Sequence, residues 1–502
     1  MNGFNVLQER ANQSMLIPWP LCRNWVTNVK EVVGNTLEPL YMTYKDGYLC
    51  IVVQEDIMTR LVKSGVDRVR KDPLYVKKLI KKFEKGIAKL NAFTKKVFES
   101  DLSAKSNKEL FGMYKTYFDL YYNVYIYGEP ITWPLRFDFV KELEQEVAKK
   151  IKDKKKLHSY VSVLITPDEP SFINKEEEEL LRMMLEIKKD DSLVRLFKKP
   201  VQTIMQVLPV EYQKLDQKLT RHAENYCWIP YDYESSLWDK EHFIKTIRQH
   251  IVKDLDIQGK LDKLVNQSAD IRKKKKEILK ELKLSPKLKK YFEAIADSGY
   301  LLDLKKEKHT ISHYHMKKWV EEVAKKLNIT VKQLRFMLLE DLEDALLHNR
   351  IDTRELDERR EYSVFVLRRE GTEALYKDDA KKIFQKFQTK IDAGKTEING
   401  MCAQPGTVRG VARVLLSAAD GDQMQEDEVL ITSMTTPDFV PAMKKAGAIV
   451  TDEGGVTCHA AIVSRELGTP CVVGTKMATK FFKTGDLIEI HAASGIVRKL
   501  GS

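Results

Sequence analysis

Apolar residues recur every three or four positions through most of the first 390 residues; past residue 405 they give way to short β-branched runs set between glycines. The first pattern is that of amphipathic helices, the second that of buried strands joined by tight turns. From 56 to 154 the helical period is carried by lysine-rich stretches, and one of them, 75–100, contains no proline, which predicts an uninterrupted helix. Near the N-terminus, YMTYK and YLCIVV flank Asp46-Gly47 and predict a β-hairpin over 40–53. A further strand is expected at 362–367. The helical period breaks twice, at 127–138 (YGEPITWPLRFD) and at 225–238 (NYCWIPYDYESSLW). Both breaks predict aromatic packing at helix junctions, with a pocket for a planar ligand as the alternative.

Beyond the small polar stretch 393–400, strands are expected at 411–416, 429–432, 448–450, 471–473, 487–491 and 496–498, with helices near 437–445 and 457–467. The chain is therefore multidomain. Residues 1–392 form a mainly α-helical N-terminal region with a small β element, 393–405 a linker, and 406–502 a compact α/β unit of ordinary domain size.

Within that unit, residues 449–474 read IVTDEGGVTCHAAIVSRELGTPCVVG and place His459 where a glycine turn meets a helix. Thr457 has the chemistry of an N-cap, and Gly468 with Pro470 supplies the stop, so His459 falls at the second helical position. First-turn N–H groups lack internal partners and carry the positive end of the helix dipole, which favours a phosphate beside that imidazole. A neutral imidazole is also a competent nucleophile toward phosphorus. Gly454 and Gly455 permit a close approach of backbone to phosphate, and Thr457 offers its hydroxyl as cap or as phosphate contact. Arg465 lies six residues past His459, about 240° around an ideal helix, so it is assigned a structural or partner-facing role. Cys458 is assigned to packing.

Charge and cysteine usage narrow the class. The formal charge is +12 over 502 residues, but lysines and glutamates are intermixed along the helical segments, so the excess is read as solvated surface. The run RKKKKEILKELKLSPKLKK at 272–290 has amphipathic spacing; its lysines are read as the wet face of a helix, and nucleic-acid binding, as contact to RNA, is the weaker alternative. Six cysteines with no CxxC pair argue against zinc or a disulfide framework and fit a reducing cytoplasm. No signal peptide is read in MNGFNVLQERANQ, and no uncharged apolar run approaches the ~18 residues needed to span a bilayer. The cluster HTISHYH, with His309, His313 and His315, lacks a completing ligand set. It is read as a polar helix start, and no metal site is assigned.

Residues 435–474, TTPDFVPAMKKAGAIVTDEGGVTCHAAIVSRELGTPCVVG, closely resemble the mobile phosphohistidine, or swivelling, domain of the phosphoenolpyruvate-utilising enzymes, as in phosphoenolpyruvate synthase, pyruvate phosphate dikinase and rifampicin phosphotransferase. The resemblance extends over 406–500. It implies a β/β/α swivelling fold, phosphorylation of His459, and movement of the domain between a charging and a discharging site. The helical region more weakly resembles the acceptor-binding part of rifampicin phosphotransferase-like proteins. No stretch matches the family's ATP-grasp domain, and no barrel follows residue 502. The resemblance therefore implies a phosphotransferase component rather than a complete synthase. Its donor, ATP or phosphoenolpyruvate, is expected on a separate ATP-grasp-like protein, and its acceptor is expected to be a small molecule. Mg2+ is expected with the nucleotide or phosphate, and no tightly bound cofactor is expected. The alternative reading is a non-catalytic binding or regulatory protein that uses the swivelling domain for docking.

Overall fold

The computed structural model describes residues 4–10, 16, 18–45, 48–135, 139–231, 237–387, 396–435, 439–455 and 458–500. The chain divides into two compact units: residues 1–72, 101–142 and 318–502 form the first, and 73–100 with 143–317 the second.

The first unit contains a five-stranded antiparallel sheet built from β1 (Phe4–Arg10), β2 (Leu40–Lys45), β3 (Tyr48–Gln54), β4 (Tyr362–Leu367) and β5 (Thr372–Tyr376), in the order β1-β3-β2-β4-β5. The expected hairpin is present with Thr43 opposite Cys50; its Asp46-Gly47 turn lies outside the described residues. β2 also pairs with β4, where Met42 faces Phe365, so this sheet is closed by residues more than 300 positions apart. Helices Pro18–Val33 and Asn107–Tyr125 belong to the same unit. The second starts on a capping box: Ser106 Oγ accepts from Glu109 N, and the Glu109 carboxylate accepts from Ser106 N. The aromatic break at 127–138 is core packing as far as it is described. Trp133 is buried and meets Trp25 edge to face at 4.8 Å. Pro134 packs against Gly65, where an added Cβ would stand 2.5 Å from the ring. Residues 136–138 lie outside the described set.

The second unit is helical. The uninterrupted helix expected over 75–100 is Tyr75–Glu99. Around Phe172–Lys188, Gln213–Tyr226 and Lys240–Val252, a core forms from Leu181, Met184, Ile187, Leu219, Phe243 and Ile247. The second aromatic break also packs inward: Trp228 meets Phe172 at 5.6 Å, and Trp238 stacks on His242 at 4.5 Å. Residues 232–236 lie outside the described set. The HTISHYH cluster is not a helix start; it sits inside the 41-residue helix Pro286–Lys326, with the buried His309 and His313 rings 3.8 Å apart. Its spaced leucines and aromatics continue the helical period on both sides, which outweighs the local polarity. Among the described residues, no group of three or more His, Cys, Asp or Glu is suited to a metal, and no helix is long and apolar enough to cross a membrane.

Asp297 on this long helix gives a testable pH dependence. Burial pushes its carboxyl up to about 6, against the opposing pull of Lys77, whose Nζ is 3.9 Å away. An unfolded aspartate titrates near 3.9, so the folded chain holds the extra proton between those values and loses stability as pH rises through them. Asp297→Asn removes that loss. Thermal unfolding of the variant is expected to occur at higher temperature than wild type at pH 7.5, by an amount worth roughly 1–2 kcal/mol, with the difference vanishing near pH 4.

The C-terminal domain has its own eight-stranded sheet: β6 (Glu397–Asn399), β7 (Met401–Gln404), β8 (Thr407–Val414), β9 (Val429–Thr432), β10 (Ala448–Thr451), β11 (Cys471–Val473), β12 (Leu487–His491) and β13 (Ile496–Lys499), in the order β6-β13-β12-β8-β9-β10-β11-β7. β8, β9, β10 and β11 run parallel. Parallel strands covered on both faces read as unbroken apolar runs, and period two divides these residues between two cores. Val429, Ile431, Val450 and Val472 face one core, shared with Phe482; Leu430, Ile449, Cys471 and Val473 face the other, shared with Ala460, Ala461 and Met443. The segment expected as a linker over 393–405 departs from that expectation. Its residues 397–399 and 401–404 are the two edge strands of this sheet, so the domain starts at Glu397 rather than at 406. Edge strands are half-exposed and tolerate small and polar residues, which gave the stretch the composition of a linker.

Candidate active site

β10 lies between β9 and β11, and the chain leaves its carboxyl end through Asp452, Glu453, Gly454 and Gly455. The carboxyl ends of neighbouring parallel strands are where an open α/β sheet places its ligands. Backbone bonds hold the crest together: Asp452 N donates to Thr432 O at 3.1 Å, Glu453 N to Ser433 O at 2.8 Å, and Thr475 N to Thr451 O at 3.0 Å. The buried Asp452 carboxylate accepts from Thr475 Oγ1 at 3.2 Å, from Thr479 N at 3.1 Å and from Thr479 Oγ1. It ties the turn after β10 to the turn after β11.

The two glycines differ. Gly454 has φ +105°, and a Cβ there would stand 2.7 Å from Cys458 Sγ. Gly455 would meet only Met401 Cε, at 3.8 Å, and its carbonyl accepts from Cys458 N at 3.0 Å. The steric demand therefore falls on Gly454. Gly454→Ala combines an unfavourable φ with that contact. It is expected to cost about 2–4 kcal/mol in denaturant unfolding and to displace Cys458 and the start of the following helix.

That helix is His459–Leu467, with Cys458 at the N-cap and Gly468, at φ 72°, closing it. His459 is thus the first helical residue, one place earlier than its expected second position. Thr457, expected as the cap, lies outside the described residues. Cys458 makes no side-chain cap bond. Its thiol is half-buried against the core that holds Ala460, Ala461 and Cys471. In an α-helix the first-turn N–H groups, here including those of Ala460 and Ala461, have no intrahelical acceptor and face the positive end of the dipole.

The imidazole is held from a segment that sequence reasoning passed over. Thr435, buried just after β9, places Oγ1 2.8 Å from His459 Nδ1. The supporting loop is itself braced by Thr432 Oγ1, which donates to Met434 O at 3.2 Å. Thr435 is one of four hydroxyl residues at 432–436, together with Thr432, Ser433 and Thr436, so no local signal in the sequence singled it out. Arg465 Nε donates to Ala403 O at 3.0 Å, which fastens the helix to β7; burial lowers its pKa against the opposing pull of Cys458, Cys471 and Cys402. The structure thus brings Gly454, Cys458, His459 and Thr435 together, and Arg465 bonds β7.

Residues 424–495 match the family model described as the PEP-utilising enzyme, mobile domain. The C-terminal domain has the mobile domain of phosphoenolpyruvate-utilising enzymes as its match. A probable phosphoenolpyruvate synthase of Archaeoglobus fulgidus is 55% identical over 104 residues, which is 21% of this chain and 14% of that protein. The phosphoenolpyruvate synthase of Pyrococcus furiosus is 51% identical over 110 residues, 22% of this chain and 14% of its own length. That of Aquifex aeolicus is 44% identical over 137 residues, 27% and 16% respectively. The chain thus spans about a seventh of the length of these relatives. Among solved structures, Thermococcus kodakaraensis aconitase X (holo-form) has a TM-score of 0.18 at 19% identity, covering 21% of this chain and all of that one. The solution structure of Enzyme I (nEIt) has a TM-score of 0.16 at 20% identity, covering 38% of this chain and 54% of that one.

Proposed function

We propose that this protein is a phosphotransferase component whose mobile domain carries a phosphoryl group on His459. The observation that carries the reading is the 2.8 Å contact between Thr435 Oγ1 and His459 Nδ1 at a helix start within the matched domain. With the threonine oxygen accepting, Nδ1 bears the ring proton and Nε2 keeps the lone pair. Nε2 then forms the P–N bond as the donor's P–O bond breaks and its electron pair leaves on the donor oxygen. A second transfer breaks the P–N bond in favour of an acceptor oxygen. The first-turn N–H groups stabilise phosphoryl charge in both steps.

The donor is ATP or phosphoenolpyruvate held on another polypeptide, and the acceptor is a small molecule bound by the helical region. The Asp452 carboxylate accepts from Thr475 and Thr479. Mg2+ accompanies the donor's phosphates in this reading.

The test is incubation of the purified chain with phosphoenolpyruvate or with ATP carrying a labelled transferable phosphate, alone and with cell extract. Acid-labile label on the chain is the expected result. No label under any of these conditions overturns the proposal and leaves the docking-module reading in its place.

A further inference from the structure

The net positive charge of the chain lies in one of its two units. Residues 73–100 and 143–317 hold 44 lysines and arginines against 31 aspartates and glutamates, a balance of +13, while the whole chain stands at +12. The concentration is sharpest on the helix Ile257–Leu282 and the turn that follows it. Ile278 and Leu282 are buried, and Ile271 and Lys275 are half-buried on the same stripe. At ~100° per residue, Lys273, Lys276 and Lys280 emerge about 150° away from that stripe, on the outer face, and all three are exposed. Lys283 follows in a left-handed conformation at the C-cap, and Lys287 and Lys290 stand exposed at the start of Pro286–Lys326.

One acid lies within this row: Glu277 follows Lys273 by four residues and precedes Lys280 by three, and among the described residues it makes no ion pair with either. Lys275, on the inner side, is tied to Asp168 at 2.7 Å, and Lys156 takes up Glu281 at 2.7 Å. Among the described residues, Lys273, Lys276, Lys280 and Lys283 make no ion pair. The Lys156–Glu281 bridge also joins the start of Lys154–Ile165 to the end of Ile257–Leu282. Like charges at three- and four-residue spacing oppose helix formation, a cost that a bound polyanion relieves. At 1.5 Å per residue the row presents a cation about every 5 Å.

The chemistry of the row selects the kind of polyanion. Protein interfaces are depleted in lysine and centre on aromatic or arginine anchors. Single-strand binders stack bases on exposed aromatic rings; of the two rings beside this row, Tyr291 is buried, and Tyr160 lies under Lys156 with its hydroxyl donating to Glu281. Lysines without forked donors contact phosphates as point charges and carry no base readout. We propose that this lysine edge binds the phosphate backbone of a nucleic-acid duplex without reading its sequence, independently of the chemistry at His459.

The test is fluorescence anisotropy of the full chain with a labelled 24-base-pair duplex of mixed sequence, in DNA and RNA forms, from 50 to 300 mM NaCl. Binding to at least one duplex is expected, with affinity falling steeply with salt, by about 0.9 in log-log slope for each phosphate neutralised. The quadruple change K273Q/K276Q/K280Q/K283Q is expected to reduce that slope by about 4 and to weaken binding at 100 mM NaCl by roughly 100-fold or more. The control K81Q/K85Q/K89Q, on the exposed face of Tyr75–Glu99, is expected to change affinity by less than about threefold. No duplex binding at 50 mM NaCl overturns the proposal. So does a loss of equal size in the control, which would mean diffuse charge, and so does stronger binding to phosphatidylserine vesicles than to either duplex. Phosphorylation of His459 measured on the same quadruple variant is expected to match wild type, which keeps this test separate from that of the carrier function.

Discussion

His459→Ala is expected to reduce acid-labile phosphorylation of the chain from stoichiometric to background, a fall of at least ~10^3 in the initial rate of label uptake. The reason is that the polar groups described near His459 are otherwise engaged. Cys458 faces inward against Ala460, Ala461 and Cys471, Arg465 is fastened to Ala403, and the Asp452 carboxylate is held by Thr475 and Thr479. Stability is expected to change little, since His459 is half-exposed at the first position of its helix and Gly454 and Gly468 still set the helix ends. Circular dichroism and thermal unfolding of the variant separate loss of the nucleophile from loss of the fold.

Thr435→Val is expected to slow phosphoryl uptake by about 10- to 100-fold while leaving the fold intact. Valine keeps the shape of the buried side chain and removes the oxygen that stands 2.8 Å from Nδ1. The ring then loses its fixed tautomer and orientation, and either nitrogen can present a lone pair. Thr435 is a positioning residue, so its effect should appear in more than rate. In the variant, some of the phosphate is expected on Nδ1. Thr435→Ser, which retains the hydroxyl, is expected to restore most of the rate. Equal rates for Thr435→Val and wild type would show that the contact does not orient the nucleophile.

The parts of this fold legible in the sequence were those with a local period. The unbroken 75–100 pattern became the helix Tyr75–Glu99, the alternation around Asp46-Gly47 became β2 and β3, and the apolar runs at 429–432, 448–450 and 471–473 became β9, β10 and β11. Features that depend on distant pairing were not legible. The β2–β4 ladder joins Met42 to Phe365, and no local signal names a partner at that separation. The edge strands β6 and β7 are short and half-exposed, so their composition matched a linker until β13 and β11 supplied the other side of each ladder. At the site, His459 and the glycine turn were visible because they are consecutive, whereas Thr435 reaches the imidazole from 24 residues away across β10. The two aromatic breaks were legible as well: Trp133 packs on Trp25 and Trp228 on Phe172, the aromatic packing at helix junctions that their composition predicts.

The most direct test of the carrier assignment is to locate the phosphate on the histidine ring. Phosphorus–proton correlation NMR on the freshly phosphorylated chain distinguishes the two ring nitrogens. The Thr435 contact predicts phosphate on Nε2 of His459. Phosphate on Nδ1, or on any residue other than His459, would contradict it.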